Sequence, residues 1–149
     1  MATSTLYLRQ KLAETILNGE PLTNWLPSSR MYVGLWKVIP TLPDASDGQE
    51  HTIGQGNYAR VEVKNKWTLD PTVEPQVSYR LNTLLSFEST SSGWNGNGTS
   101  APVAGIGFFS EQTGGNCLIY GDLNPVRVIH PNQDMDIDVD GLIVNFPIN

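Results

Sequence analysis

Three apolar runs punctuated by turns close the chain: Ala104-Gly-Ile-Gly-Phe-Phe109, Thr113-Gly-Gly-Asn-Cys-Leu-Ile-Tyr-Gly-Asp-Leu123 and Asp140-Gly-Leu-Ile-Val-Asn-Phe146. Each run is short, rich in Ile, Val, Leu and aromatic residues, and bounded by Gly, Asn, Asp or Pro. This pattern is typical of half-buried or fully buried β-strands joined by turns. None of the runs carries a recognisable catalytic group, so we expect a scaffold whose surfaces determine the function.

Size and composition favour one mainly β domain over residues 1–149. A chain of 149 residues has the ordinary length of a single domain with one core. Its 14 Gly and 10 Pro residues suit short strands and turns better than helices. We therefore predict an antiparallel β-sandwich or partly closed barrel over residues 31–149, preceded by one N-terminal α-helix over residues 4–18. No internal repeat is visible, which argues against a solenoid or an elongated shaft.

The charge balance and the start of the chain exclude several classes of partner. A net charge of −6, with 9 Lys and Arg against 15 Asp and Glu, removes the attraction to phosphates on which nucleic-acid binding depends. Residues 1–4 have no basic character, and no run of about 18 apolar residues follows, so we expect neither a signal peptide nor a membrane partner. Cys117 is the only cysteine, which excludes an intramolecular disulfide and fits folding in a reducing cytosol.

Apolar residues at every fourth position predict the N-terminal helix. Leu8, Leu12 and Ile16 have helical spacing, and Asn18-Gly19 forms a C-terminal stop. Few basic residues accompany this stripe, so a membrane-surface role is not expected. We expect the helix to pack on the sandwich or on a neighbouring subunit, and the segment from Pro21 to Pro27 to be a covered connector.

Period-2 alternation and turn residues predict the remaining strands and loops. The predicted strands cover residues 31–39, 58–63, 77–87 in two pieces, 103–110, 117–123, 126–129, 135–139 and 142–146. Within residues 58–63, the predicted dry face is formed by Ala59, Val61 and Val63. Long loops are predicted near residues 40–57 and 88–102. The first of them is longer than usual connections and is our first candidate contact surface.

An alternating acidic segment comes nearest to a metal-binding motif. Asp136, Asp138 and Asp140, followed by Gly141, match the first half of a calcium loop, but Pro147 occupies the position of its bidentate Glu. We favour a surface or edge strand whose acidic face discourages aggregation. The intervening residues, predicted to form its buried face, are Met135, Ile137 and Val139. A divalent-ion site at a subunit contact is the alternative.

No catalytic, cofactor-binding or metal-ligating residue is predicted. His51 and His130 are the only imidazoles and have no metal-ligand spacing, so both are expected to be solvated loop residues. Gly54-x-Gly56 and Gly105-x-Gly107 complete no phosphate-binding motif and are better explained by turns and close packing. Because no acid, base and nucleophile converge, an enzyme is the least favoured class.

The four tryptophans, Trp25, Trp36, Trp67 and Trp94, are expected to pack in a core or an interface, which is the commoner use of this residue. Only Trp94, alone in the polar loop near residues 88–102, is predicted to be an exposed recognition aromatic. A carbohydrate-binding host-adhesion module that uses Trp94 is therefore an alternative function.

Several segments follow one another in a recognisable order after the helix. They are Tyr32-Val-Gly-Leu-Trp36, Pro43-Asp-Ala-Ser-Asp-Gly48, Gly56-Asn-Tyr-Ala-Arg60, Phe87, Trp94, Gly105-Ile-Gly-Phe-Phe109 and Thr113-Gly-Gly-Asn-Cys-Leu118. In this order nearly the whole chain resembles a family of small virion proteins of tailed bacteriophages, often labelled tail-fibre proteins. Residues 64–76 and the Gly/Asn-rich loop depart from the family pattern.

The resemblance implies a structural role in the virion, with no catalytic residues. A compact acidic domain with an apolar N-terminal helix suits a protein that docks on a capsid lattice at local three-fold positions. We therefore predict a capsid cement or decoration protein, a homotrimer that binds the major capsid protein or other virion proteins and assembles in the bacterial host cytoplasm. Many symmetry-related contacts would make its binding strong. A tail-fibre or baseplate component is the alternative.

Overall fold

The computed structural model describes residues 3–26, 30–70 and 77–146. This part of the chain consists mainly of antiparallel β-structure with one α-helix, and its sheets do not close into a barrel. The mainly β prediction is therefore confirmed, and of its two forms the structure is the sandwich-like one.

Most elements follow the predicted order with adjusted bounds, whereas the strands at residues 3–4, 49–50 and 67–70 are not among the predicted ones. The elements are β1 (Thr3–Ser4), α1 (Leu6–Asn18), β2 (Tyr32–Val38), β3 (Gln49–Glu50), β4 (Val61–Glu62), β5 (Trp67–Asp70), β6 (Val77–Leu81), β7 (Leu85–Phe87), β8 (Ala101–Phe109), β9 (Cys117–Ile129), β10 (Met135–Ile137) and β11 (Ile143–Phe146). Two short 3₁₀ turns cover Leu22–Asn24 and Gln55–Asn57.

One large sheet and two small ones make up the β-structure of the described residues. The large sheet has the order β1-β9-β8-β2-β3, with β4 also paired to β2. The small sheets are β10-β7 and β11-β6-β5. The sequence predicts two strands, over residues 117–123 and 126–129, where the structure has the single strand β9. The pairing register of β8 with β9 shifts between Val103 and Gly105, and the pairing resumes beyond this irregularity, so β9 is continuous.

The main hydrophobic core joins residues of all three sheets. Its fully buried members include Val33, Leu35, Leu81, Leu85, Phe87, Trp94 and Val103. A second cluster contains Trp36, Ala45, Phe109 and Tyr120. A third contains Trp25, Leu26 and Leu118, with Tyr7 and Leu8 of α1 packed against it. The connector predicted to be covered is buried at Trp25 and Leu26 but exposed over residues 21–24, and its predicted end at Pro27 lies outside the described residues.

The start of α1 is fixed by a threonine cap. Thr5 Oγ1 accepts a hydrogen bond from the backbone N–H of Leu8 at 3.3 Å and donates to the carbonyl oxygen of Cys117 at 2.8 Å. Such a cap satisfies one of the unpaired N–H groups at a helix start. Ser4 belongs to β1, so the helix begins two residues later than predicted, while Gly19 ends it as predicted with φ of 70°.

The predicted faces of residues 58–63 are wrong at their N-terminal end. Tyr58 and Arg60 are buried and Ala59 is exposed, and only Val61–Glu62 form a strand. The cause is Glu50, whose carboxylate binds the Arg60 guanidinium at 2.6 Å and accepts a hydrogen bond from the Tyr58 hydroxyl at 2.8 Å. These polar groups turn inward because their partner is there. Burial raises the pKa of Tyr58 above its ordinary range.

Candidate interaction surface

Trp94 is part of the core, so its predicted role as an exposed recognition aromatic is wrong. Its side chain is only 1% exposed, and its indole N–H donates to the carbonyl oxygen of Glu88 at 2.7 Å. Its ring lies 5.6 Å from that of Tyr58 and 5.2 Å from that of His51. Burying this large ring stabilises a loop that otherwise offers only turn formers. Trp25 and Trp36 are also buried, which confirms core packing for these tryptophans.

The two histidines have different environments. The prediction of a solvated side chain is wrong for His51, which is buried and has Nε2 at 2.8 Å from the carbonyl oxygen of Pro102. Burial lowers the pKa of His51. His130 is exposed, as predicted, and its Nδ1 lies 2.5 Å from Ser100 Oγ.

The acidic segment forms a short surface strand. In β10, Met135 and Ile137 are buried while Asp136 is exposed, as the alternation predicts. Val139 is 53% exposed rather than buried, because a turn replaces the strand after Ile137, with the N–H of Gly141 bonded to the carbonyl oxygen of Asp138. Among the described residues no three His, Cys, Asp or Glu side chains form a metal-binding group. Pro147 lies outside the described residues.

The glycines of the two incomplete phosphate motifs serve turns and packing, as predicted. Gly54 and Gly56 have φ of 87° and 57°, which favours glycine in a turn. A Cβ at Gly107 would lie 2.5 Å from Trp36 Nε1, and one at Gly105 would lie 2.5 Å from the carbonyl oxygen of Gly121. Neither pair therefore forms a ligand cradle.

The helix α1 turns its polar side toward the protein. Thr15 Oγ1 accepts a hydrogen bond from Trp25 Nε1 at 3.0 Å. Lys11 and Glu14 are half-buried and form an ion pair of 2.6 Å. Only Tyr7 and Leu8, near the start of the helix, pack on the third hydrophobic cluster. At 3.6 residues per turn these residues share one side of α1.

The opposite side of α1 is apolar and faces solvent. Ile16 is 77% exposed, Leu17 is 79% exposed and Leu12 is 42% exposed. We call this side the outer face of α1, and its apolar members are Leu6, Leu12, Ala13, Ile16 and Leu17. A surface helix ordinarily buries its apolar stripe and exposes its polar side, so α1 is inverted. The sequence analysis allows the apolar stripe of α1 to pack either on the sandwich or on a neighbouring subunit. The domain itself covers Leu8 but leaves Ile16 and Leu17 exposed.

The outer face is the strongest candidate for a contact with another protein. Covering a Leu or Ile side chain contributes about 1.5–3 kcal/mol relative to leaving it in water. Grouped apolar side chains on a surface mark interaction sites, whereas single ones do not. The sequence contains part of this signal, because the spacing of Leu12 and Ile16 predicts a helix, as the structure confirms. Its outward direction depends on Thr15, whose bond to Trp25 turns the other side inward.

An apolar cleft opens between the large sheet and the β11-β6-β5 sheet. It has a volume of about 230 Å³ and is lined by Met31, Trp67, Tyr79, Phe108, Ile119 and Val144. Met31 and Ile119 also belong to the cluster on which α1 rests. The sequence analysis does not identify this cleft, because its lining residues are distant from one another in the chain.

The surroundings of the only cysteine disfavour its thiolate form. Burial raises the pKa of Cys117 to about 12, so its thiol stays protonated at neutral pH.

The loop at residues 40–57 is held by its own contacts, since the Asp47 carboxylate accepts from the backbone N–H groups of Thr41 and Leu42 at 3.0 Å. The predicted role of this loop as a contact surface stays a prediction.

Comparison with known proteins identifies a family for this chain. The family model described as Podophage GP4 fiber I protein gp80 matches residues 3–145. No curated protein matches the chain. In the part of the chain that the structure describes, no helix has the length and apolar content needed to cross a bilayer.

Proposed function

Because the chain belongs to the family of the Podophage GP4 fiber I protein gp80, a family of phage virion proteins, we propose that it is a non-enzymatic structural subunit of a phage fibre. The observation that carries this proposal is the outer face of α1. A subunit that works by assembly needs a surface that is stable in water yet gains free energy when covered, and Ile16 and Leu17 provide one.

The subunit attaches to its neighbour in the virion through this face. Repetition of one contact over several copies makes modest single affinities strong. Because residues 1–149 contain no internal repeat, this domain acts as a connecting or terminal piece of the fibre rather than as its shaft.

Capsid decoration is the second candidate, favoured by the same short, non-repetitive and acidic domain. In this arrangement the subunit is a homotrimer that docks on the major capsid protein after synthesis in the host cytoplasm. The outer face of α1 would then bind the capsid lattice. Sugar binding through Trp94 is not proposed, because a buried indole ring offers no face for stacking.

Location in the particle tests the proposal. Phage particles that carry the protein with a short exposed tag, and particles that lack it, are compared by cryo-electron microscopy with antibody labelling. Density and label on an appendage of the tail or its attachment site support the fibre subunit. Density on the capsid at lattice positions overturns it in favour of decoration, and absence from purified particles overturns both.

A further inference from the structure

We propose that the outer face of α1 pairs with the same face of a second copy of this chain, with the two helices antiparallel about a two-fold axis. This names the partner of the surface proposed above and rests on the assembly role given there. We infer that the partner is a second copy from the positions of the apolar and charged residues along α1.

The apolar residues of the outer face match themselves in the antiparallel direction. When Leu12 of one copy lies opposite Leu17 of the other, Ala13 lies opposite Ile16. A two-fold axis repeats both contacts, as an isologous interface requires. The small side chain of Ala13 at the centre lets the axes approach to about 8–10 Å, the ordinary separation of packed helices.

The charges complement one another in this same alignment. Arg9 is the only charged residue of α1 outside the half-buried side, and Glu20 follows the helix end; both are exposed. Within one chain about 14 Å of helix rise separates Arg9 from Asn18, the last residue of α1, and Glu20 lies beyond that end, too far for an ion pair. In the antiparallel pair, Arg9 of one copy lies opposite Glu20 of the other, at both ends of the contact.

A parallel pair would bring like charges together, so the charges select direction as well as partner. The first turn of α1 contains no acidic residue and the last turn no basic residue, so these charges do not serve the dipole of their own helix. Opposed dipoles and opposed charges both favour the antiparallel arrangement.

The contact is small and we expect it to be weak in isolation. One helix face gives less area than a standard interface, and we expect a dissociation constant between roughly 1 µM and 1 mM. Analytical ultracentrifugation of the full chain over this range measures it. We expect a monomer–dimer equilibrium for the wild type.

Substitutions test the geometry. Ile16→Glu should abolish dimerisation, whereas Val139→Glu, which also replaces an exposed apolar residue by an acid but lies away from α1, should leave it unchanged. Arg9→Glu and Glu20→Arg should each weaken the dimer by about tenfold, and the double variant should restore it. Circular dichroism verifies that each variant is folded, and the double charge swap keeps the test decisive without altering the apolar residues.

Three outcomes overturn the inference: a wild-type monomer throughout this range, a trimer, or a dimer that neither Ile16→Glu nor the charge reversals affect. Failure of the double swap to restore affinity also overturns the antiparallel arrangement. None of these results changes the location of the protein in the particle, so the proposed fibre role is tested separately.

Discussion

Replacing Arg60 with Met removes the most highly connected buried charge in the described chain. Its Nε and Nη2 donate to the two carboxylate oxygens of Glu50 at 2.9 Å and 2.6 Å. Its Nη1 donates to the carbonyl oxygens of Glu111 and Gly114 at 2.7 Å and 2.6 Å. Its guanidinium carbon also lies 3.6 Å from the centre of the Phe109 ring. The side chain thus ties the loop after β8 to the large sheet.

The expected loss of unfolding free energy is about 3 kcal/mol, the lower end of the range for breaking a buried ion pair. Methionine retains much of the apolar stem but leaves the Glu50 carboxylate without its countercharge. The loss falls at the lower end because Tyr58 still donates to Glu50, whose side chain is 15% exposed. Against a total stability of about 5–15 kcal/mol, this change is large.

Equilibrium urea unfolding, followed by tryptophan fluorescence, measures the loss. Arg30→Met is the matched control, since Arg30 and Glu62 form a pair of 3.2 Å with side chains 49% and 38% exposed. An exposed pair of this kind contributes about 0–1 kcal/mol. The reasoning is refuted if Arg60→Met loses no more stability than Arg30→Met.

Three further predictions follow from buried side chains. Trp94→Ala should lower the unfolding free energy by about 3–5 kcal/mol in urea titrations, and a change as small as that of Val139→Ala would contradict its core position. Because burial lowers the folded-state pKa of His51, the unfolded chain binds a proton that the folded chain resists. Stability should therefore be full above the ordinary pKa of about 6.5 and fall below it by up to about 1.4 kcal/mol per pH unit; a His51→Gln variant with the same pH dependence would contradict this. With its pKa raised to about 12, Cys117 should react with a thiol reagent at pH 8 far more slowly in the native than in the urea-unfolded protein, and equal rates would show that the thiol is accessible.

Local patterns of apolar residues and turn-forming residues predict several elements well. Three elements follow the predicted pattern closely: the strand predicted over residues 31–39, the two pieces within residues 77–87, and the helix end at Gly19. Each depends on local alternation or on a residue with special backbone freedom. Such signals are contained in neighbouring residues.

Local patterns fail where a polar residue has a distant partner. Arg60 reads as an exposed residue of an alternating strand until Glu50 is known to lie beside it. His51 is predicted to be a solvated loop histidine, because the sequence does not show that its ring nitrogen contacts the carbonyl oxygen of Pro102. Trp94 is predicted to be exposed because its neighbours in the sequence are polar, although its ring packs against those of Tyr58 and His51. Only the assembled fold supplies these partners.

The sequence predicts one part of the candidate surface, its apolar residues, but not the direction in which they point. The stripe of Leu12 and Ile16 identifies an amphipathic helix, and the resemblance to phage proteins includes a neighbouring subunit among its expected partners. The choice between the domain and a neighbour required the bond from Trp25 to Thr15, which turns the polar side of α1 inward.

Incorporation into particles tests the central claim most directly. Particles lacking the protein are supplied with wild-type, Ile16→Glu or Val139→Glu protein in infected cells, purified, and analysed for bound protein by quantitative mass spectrometry. We expect normal incorporation of the wild type and of Val139→Glu and loss of Ile16→Glu, because only the last places a charge in the outer face of α1. Equal incorporation of all three folded proteins would contradict assembly through this face.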